Sequence, residues 1–411
     1  KLSALIFDAI CPEELMKLAR EPLLLYLLAV LARSDILNPN LFNEREGIEV
    51  KIQIYQKLID FVLNQQRTDT CSQENINEKL TGLNPDQLRL ILGDLALCIT
   101  QTGTERASIE VLKQTIPNKF GREINNLAKN SILASFYLKQ ETQSGFIEFI
   151  HKSFRELLTA ERLQRGLQRL TRVELNEYGE EEYTDPDPKL FEQIYSFLGY
   201  GPLTVEIIEY LIGLLLREDN SRSTLKTLFE RLQKFYFYWA DGLFIEQYSE
   251  TIPQRTASKL QKQGNSLGQR QVDIYTGLNV MILLFELNRH RHSFDNEEQL
   301  SFHPCGSKEK GNWDKERLLR LIGYSNCIGA FSFNQLIRNF LSSADLSKAD
   351  LRKTNLSKAN LSEADLRYAD LQYADLSEAK LRQAILSNDP LMNDLLRKAL
   401  LRKALLSSAE L

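Results

Sequence analysis

The pattern of apolar and polar positions predicts an N-terminal part built mainly of helices. Over 44–66, apolar residues recur at the three- and four-residue spacing of an amphipathic helix. Similar spacing predicts helices over 11–34, 86–100, 107–116, 122–131 and 152–170. Before the last of these, 133–139 and 145–151 alternate apolar and polar residues on either side of a turn-rich stretch, which predicts a β-hairpin. Three helices, a hairpin and another helix follow one another in the order of a winged-helix domain.

The middle of the chain is predicted to be mostly helical. The stretch 172–189 is acidic and contains the sequence Asp-Pro-Asp-Pro, so we expect an irregular boundary loop there. A second polar loop is expected over 255–270, and 272–288 has the apolar content of a buried helix. The five consecutive aromatic residues at 235–239 are expected in the core rather than in a ligand site.

Leucine falls at every fifth residue from Leu341 to Leu411, 15 times without exception. A small residue usually stands two places before the leucine, and Asp or Asn usually stands between the two. Five-residue spacing scatters the leucines around an α-helix, and on a strand it sends them to alternate faces. A backbone that turns a corner every five residues keeps them all inward, and four such sides predict stacked coils of about 20 residues. Asp and Asn are expected at the corners, where their side chains bind nearby backbone groups.

Residues 341–386 resemble the pentapeptide-repeat family, whose pattern is A(D/N)LXX, and the resemblance implies a right-handed quadrilateral β-helix. Beyond Leu386 the pattern departs from the family, because Asp389–Pro390 interrupts it and leucine replaces Asp or Asn. We expect 391–411 to continue the coils, the alternative being a Leu/Ala-rich helix. The chain stops on a repeat leucine without a polar cap, from which we expect a truncated protein.

Such a solenoid is a surface rather than a catalyst. We expect it to bind a protein partner or ligand, with a purely structural spacer as the alternative. Some members of the family mimic duplex DNA against topoisomerases, which requires a strongly acidic face. Residues 341–411 carry eleven Lys and Arg against ten Asp and Glu, so this role is disfavoured.

Two other motifs resemble NACHT-type STAND NTPases, which are signal-transduction ATPases with a nucleotide domain, helical and winged-helix domains and a C-terminal sensor. FIEFIHKSFRELLTAERL at 146–163 resembles the end of their winged-helix domain, and REPLLLYLLAVLARS at 20–34 resembles their helical-domain motif. HPCG at 303–306 and LLRLIGYSNCIGAF at 318–331 resemble the linker domain of cyanobacterial-type NACHT proteins with pentapeptide tails.

The NACHT resemblance implies roles for two residues. Pro22 matches the position that lies against the adenine base, and His151 matches the position that reaches the β-phosphate of bound ADP and holds the resting state closed. Histidine suits this role because it can donate to a phosphate oxygen near neutral pH. The alternatives are a packed histidine at a strand end for His151 and a simple helix N-terminus for Pro22. The implied cofactors of the intact protein are ADP or ATP with Mg²⁺.

The chain lacks the phosphate-binding loop G-x-x-x-x-G-K-[ST]. The nearest match, 306–311, continues with Asn312 and Trp313 in place of Lys and Ser or Thr. The stretch 5–8 resembles the end of a Walker B strand but is expected in a helix. We therefore expect no catalytic residue and no tight nucleotide binding in this chain alone, and an ATPase in an intact protein whose nucleotide-binding domain is missing from the N-terminus here.

Composition narrows the partners and the compartment. With 51 Lys and Arg against 55 Asp and Glu in 411 residues, nothing attracts the whole chain to nucleic acid or to an anionic membrane. The apolar runs are too short to span a bilayer. Five cysteines without paired spacing are typical of reduced thiols, so we expect a cytoplasmic protein. A zinc site is not expected, because no standard spacing joins the candidates His290, His292, His303, Cys305 and Cys327.

The sequence thus predicts a mainly α chain with a small winged-helix β-hairpin, followed by a C-terminal right-handed quadrilateral β-helix. The expected domains are a STAND helical domain over 1–68, a winged-helix domain over 69–170, a helical linker domain over 171–338 and the pentapeptide solenoid over 339–411.

The predicted function is the regulatory and sensor part of a NACHT-like STAND ATPase, in which nucleotide state passes to a solenoid that binds a protein or ligand. Activation would form a homo-oligomer. The alternative is a stand-alone protein-interaction scaffold without nucleotide control. A winged-helix DNA regulator is disfavoured, because the candidate recognition helix offers only Arg122 and Lys129, with Lys119 just upstream.

Overall fold

The computed structural model describes residues 20, 22–33, 48–64, 76–115, 129–130, 132, 138–141, 145–217, 222–245, 250–290 and 300–386. Most of the candidate recognition helix, the Walker-B-like stretch and the repeats beyond Leu386 lie outside these residues. The chain divides into two compact units, one of Lys1–Arg165 with Thr204–Arg217, the other of Gly166–Leu203 with Glu218–Leu411. The four-domain division stays a prediction.

The described elements follow one another along the chain as printed here. They are α1 (Pro22–Arg33), α2 (Ile48–Leu63), α3 (Ile76–Thr81), α4 (Pro85–Gln101), β1 (Arg106–Ser108), α5 (Ile109–Thr115), β2 (Leu138–Glu141), β3 (Phe146–Phe149), α6 (Lys152–Arg169), β4 (Val173–Leu175), β5 (Glu181–Tyr183), α7 (Asp187–Leu198), α8 (Val205–Leu215), α9 (Arg222–Ala240), α10 (Ile252–Lys262), α11 (Gln269–Arg289), α12 (Arg317–Ser325) and α13 (Ser332–Ile337). The mainly helical character predicted from the sequence is confirmed.

The first unit packs helices around a small antiparallel sheet of order β1-β3-β2. The predicted hairpin is present as β2 and β3, with Lys139 opposite Glu148. The third strand, β1, was not predicted, because three residues are too few to display an alternating pattern. Helix α4 begins at a capping box, in which Asn84 Oδ1 accepts from the Gln87 amide at 2.8 Å and Gln87 Oε1 accepts from the Asn84 amide at 3.1 Å.

A polar network fastens three helices of this unit together. Arg89 in α4 donates from Nε to Glu161 Oε2 in α6 at 3.0 Å and forms an ion pair with Asp60 in α2. Gln56 in α2 donates to Glu161 Oε1 at 2.9 Å. Because Arg89 presents a planar fork of donors, it can bind two carboxylates at once and fix their relative position.

The helices of the second unit surround a buried carboxylate. Asp273 in α11 accepts hydrogen bonds from the Tyr195 hydroxyl at 2.5 Å, from Trp239 Nε1 at 3.2 Å and from the Tyr324 hydroxyl at 2.9 Å. Burial raises the pKa of Asp273, although all three donors oppose that shift. Gly277 allows the indole to approach, since a Cβ there would lie 1.9 Å from a Trp239 ring carbon. The aromatic run at 235–239 is therefore mainly core, as predicted.

Two predicted loops of the second unit are wrong. The acidic stretch 172–189 contains the antiparallel pair β4 and β5, and α7 begins within its Asp-Pro-Asp-Pro sequence. Most of 255–270 is helix α10, because Thr251 Oγ1 accepts from the Gln254 amide at 3.3 Å and Ala257 and Leu260 bury one face. Both stretches are so polar that their short periodic signals were masked.

The repeats form stacked turns of chain with a period of twenty residues. Isolated parallel bridges join Asp345 with Asp365, Asp350 with Asp370, Asn355 with Asp375, Asn360 with Lys380 and Asp365 with Ile385. Every repeat leucine from 341 to 386 is buried, as are the small residues two places before them. Neighbouring coils are also joined through backbone hydrogen bonds such as Leu346 N–H to Asp365 O at 2.9 Å. The predicted inward columns of leucine and alanine are confirmed, and β pairing within 339–386 is limited to single residues.

The corners of the coil lie at the two residues after each leucine, not at Asp or Asn as expected. The amide of Ala344 donates to the Leu341 carbonyl at 3.2 Å, which closes a β-turn, and the same bond recurs in each described repeat. The second turn residue has a positive φ of 56° to 61° throughout. Asp and Asn instead occupy the bridge positions and accept from the amide two residues later, as in Ser347 N–H to Asp345 Oδ1 at 3.1 Å.

Among the helices of the described residues, none combines the length and the apolar character needed to cross a membrane.

Candidate functional site

The outer surface of the coils is built from the two turn residues of each repeat. Since leucine and alanine point inward and Asp or Asn binds the backbone, only these two positions can vary without disturbing the stack. Of them, the second has a positive φ in every described repeat and is exposed in nearly all of them. The fold therefore presents one freely chosen side chain at each corner, at fixed intervals.

Two adjacent sides of the coil carry a lysine in one turn and a tyrosine in the next. Lys348 precedes Tyr368 by twenty residues, and Lys353 precedes Tyr373 by the same interval. The amide of Lys348 donates to the Arg367 carbonyl at 2.8 Å, which places each lysine beside its tyrosine in the neighbouring coil. Tyr368 is 64% exposed and Tyr373 is 60% exposed. We call Lys348, Lys353, Tyr368 and Tyr373 the Lys–Tyr surface.

Arginines next to this surface bind carboxylates of their own repeat. Arg352 donates from Nε to both oxygens of Asp350 at 3.0 Å, and Arg367 donates from Nε to Asp365 Oδ1 at 2.9 Å. The Arg352 hydrogen bond lowers the pKa of Asp350; burial works against the same effect at Asp365, whose pKa Arg367 nevertheless lowers. These pairs compensate each other's charge, which leaves the lysines and tyrosines as the distinctive groups.

The helical segment before the repeats provides the first coil with hydrogen-bond acceptors. In later coils, the bridge residues donate their amides to carbonyls of the coil before. The first coil has no preceding coil, and the amide of Asp350 donates instead to Lys315 O at 3.0 Å and that of Asn360 to Arg338 O at 2.7 Å. The segment around α12 and α13 thus acts as the N-terminal cap that a solenoid requires.

His303 joins this cap to the first coil. Its Nδ1 accepts from the Cys305 amide at 3.0 Å, so Nε2 carries the proton and donates to Ser347 O at 2.7 Å. Both ring nitrogens of His303 are thereby engaged. Burial raises the pKa of the Cys305 thiol to about 11, and Cys327 is exposed. Nowhere in the described part of the chain do three His, Cys, Asp or Glu side chains come together as metal ligands; His292 lies outside that part.

The loop that resembled a phosphate-binding loop is closed on itself. The Ser307 amide donates to Asn312 Oδ1 at 2.8 Å, and the Asn312 amide donates to Ser307 O at 3.2 Å. Arg317 Nη1 donates to the carbonyls of Cys305 at 2.8 Å and Asn312 at 2.9 Å. A loop whose amides bind its own chain does not offer them to a phosphate.

His151 lies immediately before α6, half-buried at the end of β3. Its Nδ1 accepts from the Ser153 amide at 3.2 Å, and its ring contacts that of Phe154 at a centroid distance of 5.9 Å. His151 therefore caps a helix whose first turn contains no acidic residue. Pro22 begins α1, and its side chain lies outside the described part. No described contact brings the two predicted nucleotide-binding residues together, and their roles stay predictions.

Comparison with known families identifies the C-terminal repeats. Residues 343–388 match the model of Pentapeptide repeats in eight copies. None of the curated proteins matches the chain.

Proposed function

We propose that the chain is the regulatory and sensor part of a NACHT-like STAND signal-transduction ATPase, and that its pentapeptide repeats bind a protein partner. The observation that carries the binding role is the Lys–Tyr surface on the repeats. Exposed tyrosines contribute large contact area at a small loss of side-chain entropy, and they are enriched among the residues that dominate binding energy. The lysines add a positive rim that would favour an acidic face on the partner.

In this proposal, the stacked coils are a right-handed quadrilateral β-helix. The twenty-residue bridges, the buried leucine and alanine columns and the family match over 343–388 support it. Such a stack is rigid because each coil is hydrogen-bonded to its neighbours, so the Lys–Tyr surface would be preorganised for its partner.

Site-specific crosslinking tests the binding role. A photoreactive phenylalanine analogue is placed at Tyr368, at Tyr373 or, as a matched control, at Gln383. The control has the same place in its repeat, a positive φ of 56° and an exposed side chain. We expect one adduct of defined mass from the tyrosine positions in the native host and none from Gln383. Equal adducts at all three positions, or none at the tyrosines, would contradict the proposal.

The regulatory role is proposed from the resemblance of the 20–34 and 146–163 motifs. It requires a domain with a phosphate-binding loop on the same polypeptide, and His151 would then hold the β-phosphate of ADP in the resting state. The position of His151 at a helix N-terminus supports this, because the amides there and the imidazole all favour an anion. Binding at the repeats would favour an open state that forms homo-oligomers.

Two variants of the intact protein separate nucleotide binding from helix capping. His151→Ala removes both the imidazole and the acceptor for the Ser153 amide, whereas His151→Asn restores a capping acceptor. We expect both variants to lose co-purified ADP, and only His151→Ala to lose about 0.5–2 kcal/mol of stability. Retention of ADP by both variants would exclude the nucleotide role.

A further inference from the structure

A two-stranded hairpin between α6 and α7 stands in solvent on both faces. All residues of β4 and β5 are exposed, and so are most residues of the connecting turn. Val173 lies opposite Tyr183, and Leu175 lies opposite Glu181. Paired residues share a face, so one side of the ribbon presents Val173, Leu175 and Tyr183. Leu175 is 70% exposed, and Tyr178 at the tip is 79% exposed.

The other side of the hairpin is acidic. Between 173 and 183 there are five glutamates and no Lys or Arg. Glu174 lies directly opposite Glu182, an arrangement of like charges that destabilises a strand pair. The Asn176 amide donates to Glu182 Oε1 at 3.0 Å and to Glu180 Oε2 at 3.3 Å. Across the described residues, no Lys, Arg or His forms an ion pair with any of the five glutamates.

The hairpin is nevertheless held in a defined shape, although an isolated pair of strands is marginal in water. At the tip, Asn176 Oδ1 accepts from the amides of Tyr178 and Glu180, both at 2.9 Å. At the base, the Arg231 guanidinium stacks on the Tyr183 ring at 3.9 Å from its centroid. A surface fixed at both ends loses little conformational entropy when it binds.

We propose that this hairpin is a docking surface for a cationic, partly apolar segment of another protein. A Lys or Arg side chain of that segment lies between Glu174 and Glu182 and relieves their repulsion, while its apolar side chains cover Val173 and Leu175. The excess of five negative charges repels nucleic acid and anionic lipid, which require a basic surface. The apolar face distinguishes the site from a simple sink for counter-ions, because it needs complementary apolar side chains.

Binding of defined peptides to the 411-residue chain tests this proposal. The probe is a fluorescent eight-residue peptide of alternating lysine and valine, and glutamate replaces lysine in its control. Fluorescence anisotropy is measured for the native chain, for the double variant Glu174→Lys/Glu182→Lys, and for Leu175→Ser/Tyr178→Ser. Glu309→Lys is the matched control, since it reverses one exposed charge elsewhere in the same unit.

We expect the charge reversal to weaken binding of the lysine peptide at least about tenfold, and the apolar substitutions to weaken it several-fold. Glu309→Lys leaves the affinity unchanged, and the glutamate peptide does not bind. Equal affinity of the native chain and the charge-reversed variant would overturn the proposal, as would an unchanged affinity after Leu175→Ser/Tyr178→Ser. Sedimentation of the native chain as a dimer that Glu174→Lys/Glu182→Lys dissociates would also overturn it, in favour of a second copy of this chain.

Discussion

The repeats and the helices that precede them satisfy their polar groups over very different distances along the chain. In the coils, Asp365 binds the amide and side chain of Arg367, two residues away, and its backbone pairs with the adjacent coils. In the helical part, Asp273 binds Tyr195 and Tyr324, which are 78 and 51 residues away. Local bonds form wherever the repeat recurs, whereas the Asp273 cluster exists only when several helices are assembled. The comparison therefore predicts local damage in one region and general damage in the other.

The largest effect is expected from Asp273→Ala. This change leaves two buried hydroxyls and an indole N–H without their acceptor, which should cost about 3–5 kcal/mol. We expect thermal unfolding of the helical part at a much lower temperature, followed by differential scanning calorimetry. Asp273→Asn is the control, because it keeps one carbonyl acceptor in the same volume and should cost less. If both variants unfold like the native chain, the cluster does not hold the helices together.

Two equally buried leucines sharpen the contrast between the regions. Leu366 in the coils and Leu278 in α11 are 0% and 1% exposed. Replacement of either by alanine should cost about 2–5 kcal/mol. We expect Leu366→Ala to raise hydrogen exchange only in its own coil and the adjacent ones, since each coil contacts only its neighbours, and Leu278→Ala to raise it throughout the helical part. Exchange that spreads equally far in both variants would remove the distinction.

The same contrast explains what the sequence could reveal. The repeat leucines and alanines were predicted because each coil repeats one local solution, and α2 and α4 were predicted because their apolar faces recur at helical spacing. The Asp273 cluster was missed, because a polar residue within an apolar helix carries no sign of its distant partners. The corners were misplaced, since residues such as Lys353 at a positive φ show no glycine signal. The roles of His151 and Pro22 come from resemblance alone, and nothing in local geometry could replace it.

Acid should affect the two regions in opposite directions, with a smaller effect than the core substitutions. The lowered pKa of Asp350 and Asp365 means that their stabilisation is present above the ordinary pKa of about 3.9 and is lost as the pH falls through their folded-state values. The pKa of Asp273 is raised, so its contribution is complete below the ordinary value and is lost as the pH rises through the folded-state value.

Hydrogen exchange at pH 5 and pH 3, corrected for intrinsic rates, measures this difference. We expect protection of the coils to fall relative to that of α11 in acid. Arg352→Gln/Arg367→Gln removes the partners that lower the two pKa values and should abolish most of the acid sensitivity of the coils. If this variant keeps the same acid sensitivity as the native chain, other carboxylates are responsible.

The smallest effect is expected at a corner of the coil. Lys353 has a φ of 58°, a left-handed conformation that costs an L-residue about 1 kcal/mol. Lys353→Gly removes this strain, but glycine gives the unfolded chain more freedom, which costs about 0.5–1 kcal/mol. The two effects nearly cancel, so the midpoint of urea unfolding should hardly move. Lys353→Val, which introduces a β-branched side chain at the same φ, should instead destabilise by about 1 kcal/mol or more. Equal stability of the two variants would mean that the corners relax, and the regular positive φ would then not be required for stacking.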